Sequence, residues 1–381
     1  MISKPNVLFV HGRTGVSLHS TNSVNRLIAQ TAKAFTAFCD EVHIACFEES
    51  NALQGITFIK LRQVGAITQL KKRLLTRLGK KSANDSNIKT SYAKQVLANY
   101  RPDKWVVIAC RTNDADVARK NSDCKLILWV HHFQLPSAFD SFIYQNKRPA
   151  ALVFPSQAIA DAFHQHLIDK GFWPSTISLP NLNDTELVAE ADKLRNRDIN
   201  HDDVLRLLFL GGNNPRKGIH NVEFALHNLQ LQPDQQVELY ALGFEQQRDV
   251  SISQACKIHY LPLQNRDELK QYLQMCDVGL VPSVSFDNAP TALREMTTFG
   301  MFVLASKVGG ISEMMPMDSL LVDPCYSPLA WQNALQQCVD HLSEIRQRRL
   351  DRYTQAEKIN PNTKVLSGWN NLLCTLLSSS K

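Results

Sequence analysis

Two carboxylates and a basic pair carry the chemistry that this 381-residue sequence offers. Asp287 and Glu295 stand in the run FDNAPTALREMTTFG (286–300), between two short apolar runs, VGLVP (278–282) and FVLAS (302–306), that read as buried strands. The spacing predicts a helix between them, with Asn288 as N-cap, Pro290 in the first turn where its missing N–H costs nothing, and Gly300 as the stop. First-turn amides have no partner inside a helix and sit at the positive end of its dipole, so they favour an anion. At ~1.5 Å of rise per residue the two acids stand on the order of 10 Å apart, comparable to the span from one sugar to another across a diphosphate. Acids hold hydroxyls and bare amides hold phosphate, so Asp287, Asn288, Ala289, Pro290, Thr291 and Glu295 form a candidate nucleotide-sugar site. An ordinary amphipathic helix with a surface acid at each end satisfies the same letters.

The basic pair lies in FLGGNNPRKG (209–218), where a strand ends on glycines that permit close backbone approach and then presents Arg216 and Lys217 before a helix starting near Ile219. Breaking a sugar–phosphate bond leaves charge on the departing nucleotide, which preorganised cations stabilise. A solvated basic turn capping a helix is the bland alternative. HGRTG (11–15) ends the first strand and offers Gly12 and Gly15, while WVHH (129–132) ends another and offers His131 or its neighbour His132. Either histidine could equally be a satisfied strand-end residue. The pattern Asp114-Ala115-Asp116 has metal-binding spacing, but it follows a strand and opens a helix over Val117–Lys120, so capping is the expected role and no metal is expected.

Asp287-x7-Glu295, with Gly300 and VGGISE (308–313) after it, resembles the E-x7-E signature and following turn of retaining GT-B glycosyltransferases of family 4, the group 1 glycosyl transferases. Asp replaces the first Glu, and Asn288-Ala289 replaces the usual Phe-Gly. The resemblance implies that Asp287 contacts the transferred sugar, Glu295 the ribose, Arg216 and Lys217 the diphosphate, Gly12, Gly15 and Gly212 the donor phosphates by close approach, and His131 the donor sugar. It further implies retention through assistance by the leaving phosphate, a hexose-type donor linked to UDP or GDP, no cofactor, and a glycan or glycolipid acceptor in bacterial surface polysaccharide or lipopolysaccharide synthesis. Another GT-B enzyme, such as a sugar-nucleotide epimerase, is the alternative.

Positioning these residues requires two parallel sheets. In the N-terminal half, 7–11, 42–46, 56–60, 105–110, 125–130 and 151–155 read as strands, with helices over 22–35, 92–100 and 158–167. In the second half, 206–211, 237–243, 258–263, 278–282, 302–306 and 319–323 repeat the grammar. The expected fold is α/β, with two Rossmann-like doubly wound domains facing a central cleft. The boundaries are 1–185 on the acceptor side, 186–358 for donor binding, and 359–381 as a helix (366–377) returning to the first domain. The segment ISLPNLND (177–184) resembles the family's exit from the first domain, and a polar helical stretch runs on to Arg197. Glycines fall at the carboxyl ends of strands, where open parallel sheets bind ligands.

Length favours two domains and composition a soluble protein, expected in the cytoplasm without signal or span. Nine cysteines without a C-x-x-C pair read as reduced thiols. The net charge of +6 is concentrated between Ile59 and Asn84, which hold eight basic residues and no acid. In helical register Ile67, Leu70, Leu74 and Leu78 form an apolar stripe flanked by Lys71, Lys72, Arg73 and Arg77, as expected of contact with an anionic membrane or acceptor. A domain helix with a solvated basic face is the alternative. Nucleic acid is not an expected partner, because the cations lack interleaved aromatic residues.

Overall fold

The computed structural model describes residues 4–12, 16–18, 20, 22–47, 53–62, 90–131, 149–169, 175–194, 202–353 and 355–378. The basic stripe with Lys71, Lys72, Arg73 and Arg77 lies outside the described residues, as do Arg13, Gly15 and His132. Two compact units emerge: one formed by 1–182 with 363–381, the other by 183–362.

In the first unit, strands β1 (Asn6–Val10), β2 (Val42–Cys46), β3 (Ile56–Lys60), β4 (Trp105–Ala109), β5 (Lys125–Trp129), β6 (Ala151–Phe154) and β7 (Ser175–Ser178) form one sheet in the order β3-β2-β1-β4-β5-β6-β7. Every pairing in it is parallel. Helices α1 (Ser23–Phe35), α2 (Thr90–Leu97), α3 (Thr112–Asn121) and α4 (Gln157–Asp169) connect the strands. The side chain of Asn22 caps α1 by accepting from the amides of Val24 and Asn25 at 3.0 and 3.3 Å. Parallel strands covered on both faces need continuous apolar runs, and NVLFV and WVVIA are buried at every position.

The second unit contains α5 (Thr185–Leu194), β8 (Val204–Phe209), α6 (Ile219–His227), β9 (Gln236–Leu242), β10 (Arg248–Ser251), β11 (Cys256–Leu261), α7 (Arg266–Met275), β12 (Val278–Val281), α8 (Thr291–Thr298), β13 (Phe302–Ser306), β14 (Leu320–Val322) and α9 (Pro328–Asp340). Short helices α10 (Leu342–Gln347), α11 (Arg349–Arg352) and α12 (Gln355–Ile359) complete it. Its sheet runs β10-β11-β9-β8-β12-β13-β14, parallel except for the β10–β11 pair. One face buries Val222, Ala225, Trp331 and Leu335 of α6 and α9, and the other buries Leu187, Leu273, Leu293 and Met296 of α5, α7 and α8. At the amino ends of the central strands, buried Arg346 spans Asp277 at 2.9 and 3.1 Å, while Asp277 also accepts from the Arg206 amide at 3.0 Å. This fixes β8 beside β12 in a register that pairs Phe209 with Leu280.

The last helix, α13 (Asn362–Ser378), packs into the first unit. Trp369 sits between Phe35 and Trp129, with ring centroids 5.5 and 5.3 Å away.

Several expectations need correction. Strands β7 (STIS) and β10 (RDVS) were not expected, since both are edge strands without an apolar run, and every residue of β10 is exposed. Ile177 and Ser178 therefore close the first sheet, and the chain leaves the first unit after Leu182, within the expected exit segment. Helix α5 is described over Thr185–Leu194, and the expected continuation to Arg197 lies outside the described residues. Helix α3 spans Thr112–Asn121, so it begins ahead of the expected 117–120. Asp114 is not its cap: the N-cap is Arg111, without a side-chain bond, and Asp114 reaches out of the helix instead. Asn288 does not cap α8 either. Pro290 disfavours helical geometry at Ala289, so the chain stays extended and the helix opens at Thr291 with Pro290 itself at the N-cap position.

Candidate active site

Level strand ends bring the basic loop and the acidic helix together. Beyond β8 the chain turns through Gly211 and Gly212, then forms a 3-10 turn over Pro215–Lys217 whose cap, Asn214, accepts from the Arg216 amide at 3.1 Å. The Val284 amide donates to the carbonyl of Arg216 at 3.0 Å, joining this loop to the segment after β12. Gly218 makes the approach possible: its φ is 71°, and a Cβ there would lie 1.8 Å from the carbonyl oxygen of Pro282.

Lys217 Nζ consequently meets Asp287 Oδ2 at 2.5 Å across a sequence separation of 70 residues. Ser283 donates from Oγ to the same carboxylate oxygen at 2.9 Å, and Arg216 Nε donates to Ser285 Oγ at 3.0 Å. These bonds occupy Oδ2, so Oδ1 is the oxygen with which Asp287 can accept a hydroxyl. The main chain of Asp287 is held from the other side, where the Gly310 amide donates to its carbonyl at 2.9 Å. Gly309, at φ 56°, leaves no space for a Cβ, which would lie 2.3 Å from that carbonyl oxygen. The glycines of VGGISE thus serve to grip Asp287.

Helix α8 carries no side-chain cap, so its first-turn amides lack an internal partner in the helix and open beside Asp287. Asn288, Ala289 and Pro290 are buried and Thr291 is half-buried. Ala289 packs in the core with Leu187 and Leu293, so its contribution is backbone geometry. Glu295 lies about one turn into the helix and is half-buried. Gly212 adopts φ 58° and packs on Gly243, whose carbonyl oxygen a Cβ at Gly212 would approach to 2.6 Å.

Gly12 and His131 belong to the first unit, just past the carboxyl ends of β1 and β5. The His131 ring lies 4.0 Å from that of Trp129. The Gly12 amide donates to Asp114 Oδ2 at 3.1 Å, so that glycine offers a ligand close approach rather than a donor. Burial pushes the Asp114 carboxyl up to about 6, against the pull of the Gly12 amide and Arg111. Asp116 pairs with Lys120 at 2.5 Å, so the two acids of the D-x-D pattern have separate partners. Among the described residues no group of three or more His, Cys, Asp or Glu side chains could hold a metal ion.

The sequence reading missed Ser283 and Ser285. Their signal was present in SVSFD, where alternate serines lie on one side of an extended segment leading to the acid.

Residues 191–357 match the family model described as glycosyl transferases group 1. No curated protein matches the sequence. Among solved structures, sucrose-phosphate synthase from Thermosynechococcus elongatus is similar at a TM-score of 0.72 and 16% identity, covering 99% of this chain and 100% of that one. HepE from Anabaena, in complex with UDP-glucose, matches at 0.66 and 16%, covering 98% and 99%. WaaG, a glycosyltransferase involved in lipopolysaccharide biosynthesis, matches at 0.63 and 12%, covering 96% and 99%. At such identities the structural likeness speaks for fold. Among the described residues no helix is long and apolar enough to cross a membrane. Residues 191–357 are therefore similar to the glycosyl transferases group 1, in a chain whose two helix-flanked sheets have the GT-B fold.

Proposed function

We propose that this protein is a retaining, metal-independent glycosyltransferase that moves a hexose-type unit from a UDP- or GDP-linked sugar to an acceptor hydroxyl. The observation that carries this reading is the 2.5 Å contact between Lys217 and Asp287 beside the uncapped start of α8. It assembles a cation, a hydroxyl acceptor and phosphate-binding amides at one sheet edge.

In this reading the diphosphate sits between Arg216, Lys217 and the first-turn amides of α8. As the sugar–phosphate bond breaks, the growing charge on the leaving oxygens is met by cations already in place, and each such donor contributes about 3 kcal/mol. Asp287 Oδ1 receives a sugar hydroxyl while Oδ2 keeps Lys217 aligned. Glu295 takes the ribose. Retention follows from assistance by the leaving phosphate on one face of the sugar. The donor class draws support from HepE, which was solved with UDP-glucose. A surface-polysaccharide role draws support from WaaG.

Calorimetry with UDP, GDP and their hexose conjugates tests the assignment. Glu295→Ala should weaken free nucleotide and nucleotide sugar alike, whereas Asp287→Ala should weaken the sugar conjugate more than the free nucleotide. Equal losses for both ligands in both variants would overturn it.

The acceptor in this reading is a glycan or glycolipid at an anionic surface, engaged by the cations of 59–84 from the cytoplasmic side. Each basic residue near an anionic leaflet contributes about 1 kcal/mol. Replacing Lys71, Lys72, Arg73 and Arg77 by Gln should release the protein from anionic vesicles, and wild-type attachment should weaken as salt rises. Failure of the wild-type protein to co-sediment at low salt would remove the membrane from this reading.

A further inference from the structure

The chain passes between its two units twice, at Leu182–Asn183 and at Asn362–Thr363. Both crossings are tied to each other. The Asn183 amide donates to Asn362 Oδ1 at 2.7 Å, and Asn362 Nδ2 donates back to the Asn183 carbonyl at 3.0 Å. Glu357 then grips both with one carboxylate: Oε2 accepts from Asn183 Nδ2 at 2.8 Å and Oε1 accepts from the Asn362 amide at 2.8 Å. A carboxylate shared between two crossings makes them one mechanical element.

That element abuts the helix that carries Glu295. Helix α8 packs against α12, which bears Glu357, and against α5, which begins two residues after Asn183. Within α8, Arg294 is 6% exposed, next in sequence to Glu295, and feels the charge of Glu357. A charge buried so deeply is costly unless it is compensated, which favours one arrangement of α8 relative to α12.

We propose that Arg294 and Glu357 are positioning residues that couple nucleotide binding on α8 to the tightness of the double crossing. The coupling rests on the reading of α8 as the nucleotide-binding helix. Thermodynamic linkage makes it reciprocal: a nucleotide that steadies α8 tightens the clasp, and a loosened clasp weakens the nucleotide by the same factor.

Hydrogen exchange read by mass spectrometry on the full chain, with and without UDP or GDP, tests this at the amides of Asn183 and Asn362. In the wild-type protein the bound diphosphate should slow exchange at both positions together, by about fivefold or more. Glu357→Gln, which presents a donor where Asn183 needs an acceptor, should speed exchange at both and weaken the diphosphate by a similar factor. Arg294→Met, close in volume, should leave both amides protected but abolish their response to the bound diphosphate. If Glu357→Gln fails to fold, Arg294→Met alone decides. Binding of a diphosphate with unchanged exchange at both crossings overturns the coupling and leaves the site reading intact. If neither diphosphate binds, the site reading and the coupling fall together. Protection lost evenly across the second unit in the variants would make the two residues merely structural and overturn the proposal.

Discussion

Asp114 shows how a residue type with the expected chemistry can serve a different purpose. Its side chain is 1% exposed and accepts from the Gly12 amide, and burial pushes its carboxyl up to about 6. The unfolded chain loses this proton near ~3.9, so between those values the folded state holds more protons than the unfolded one. The neutral carboxyl therefore contributes stability that is complete below about pH 4 and is lost as pH rises through about 6. That loss amounts to roughly 3 kcal/mol at ~1.4 kcal/mol per unit. Asp114→Asn keeps an oxygen for Gly12 and removes the titration. The variant should show a flatter stability profile between pH 4 and 6 and greater stability at pH 7, by roughly 2–3 kcal/mol, measured by urea unfolding at several pH values. A variant whose profile parallels the wild type would show that Asp114 ionises freely. Cys110, also buried and pushed up by desolvation, stays neutral throughout that range.

At the scale of elements, the site is two loops and a helix start held in place by glycines. The turn after β13 is the instructive case, because Gly309 leaves no room for a side chain beside the Asp287 carbonyl and has a left-handed φ of 56°. Gly309→Ala should displace Asp287 and with it the partner of Lys217, at a strain cost of about 1–3 kcal/mol. Nucleotide-sugar affinity should fall by about tenfold while far-ultraviolet circular dichroism is retained, and unchanged affinity would show that the turn does not position the acid. The elements themselves were legible to different degrees. Runs such as VLFV and WVVIA announce central strands because both faces are buried. STIS and RDVS announce nothing because their pairing is made by backbone alone at a sheet edge. Helix α7 was also missed, although Asn265 and Glu268 form a capping box, since its outward face is polar and only Leu273 is buried.

At the scale of the whole chain, the division into units does not follow chain order. Residues 363–381 complete the first unit, and Trp369 is 1% exposed between Phe35 and Trp129. Trp369→Ala opens a large cavity there and should cost about 3–5 kcal/mol. Because that loss belongs to one core, hydrogen exchange should accelerate in β1 and β4 while β8 and β9 keep their protection. Equal acceleration in both sheets would mean that the two cores unfold as one. The C-terminal helix thus contributes stability to strands more than 200 residues before it in sequence, a dependence that local periodicity does not encode.

Residue types and their spacing by themselves determined the α/β class, the two rounds of strand–helix alternation, the acid-bearing helix and the basic glycine-rich loop. Each is a local property, set by side-chain periodicity, turn chemistry and the fixed rise of a helix. Only the tertiary structure decided that Lys217 and Asp287 touch, that Ser283 shares the carboxylate, that Pro290 moves the helix start to Thr291, and that Asp114 turns inward to Gly12. Those contacts depend on strand register and on close backbone approaches between segments distant in sequence. Such relations arise from packing the whole sheet, and no window along the chain contains them.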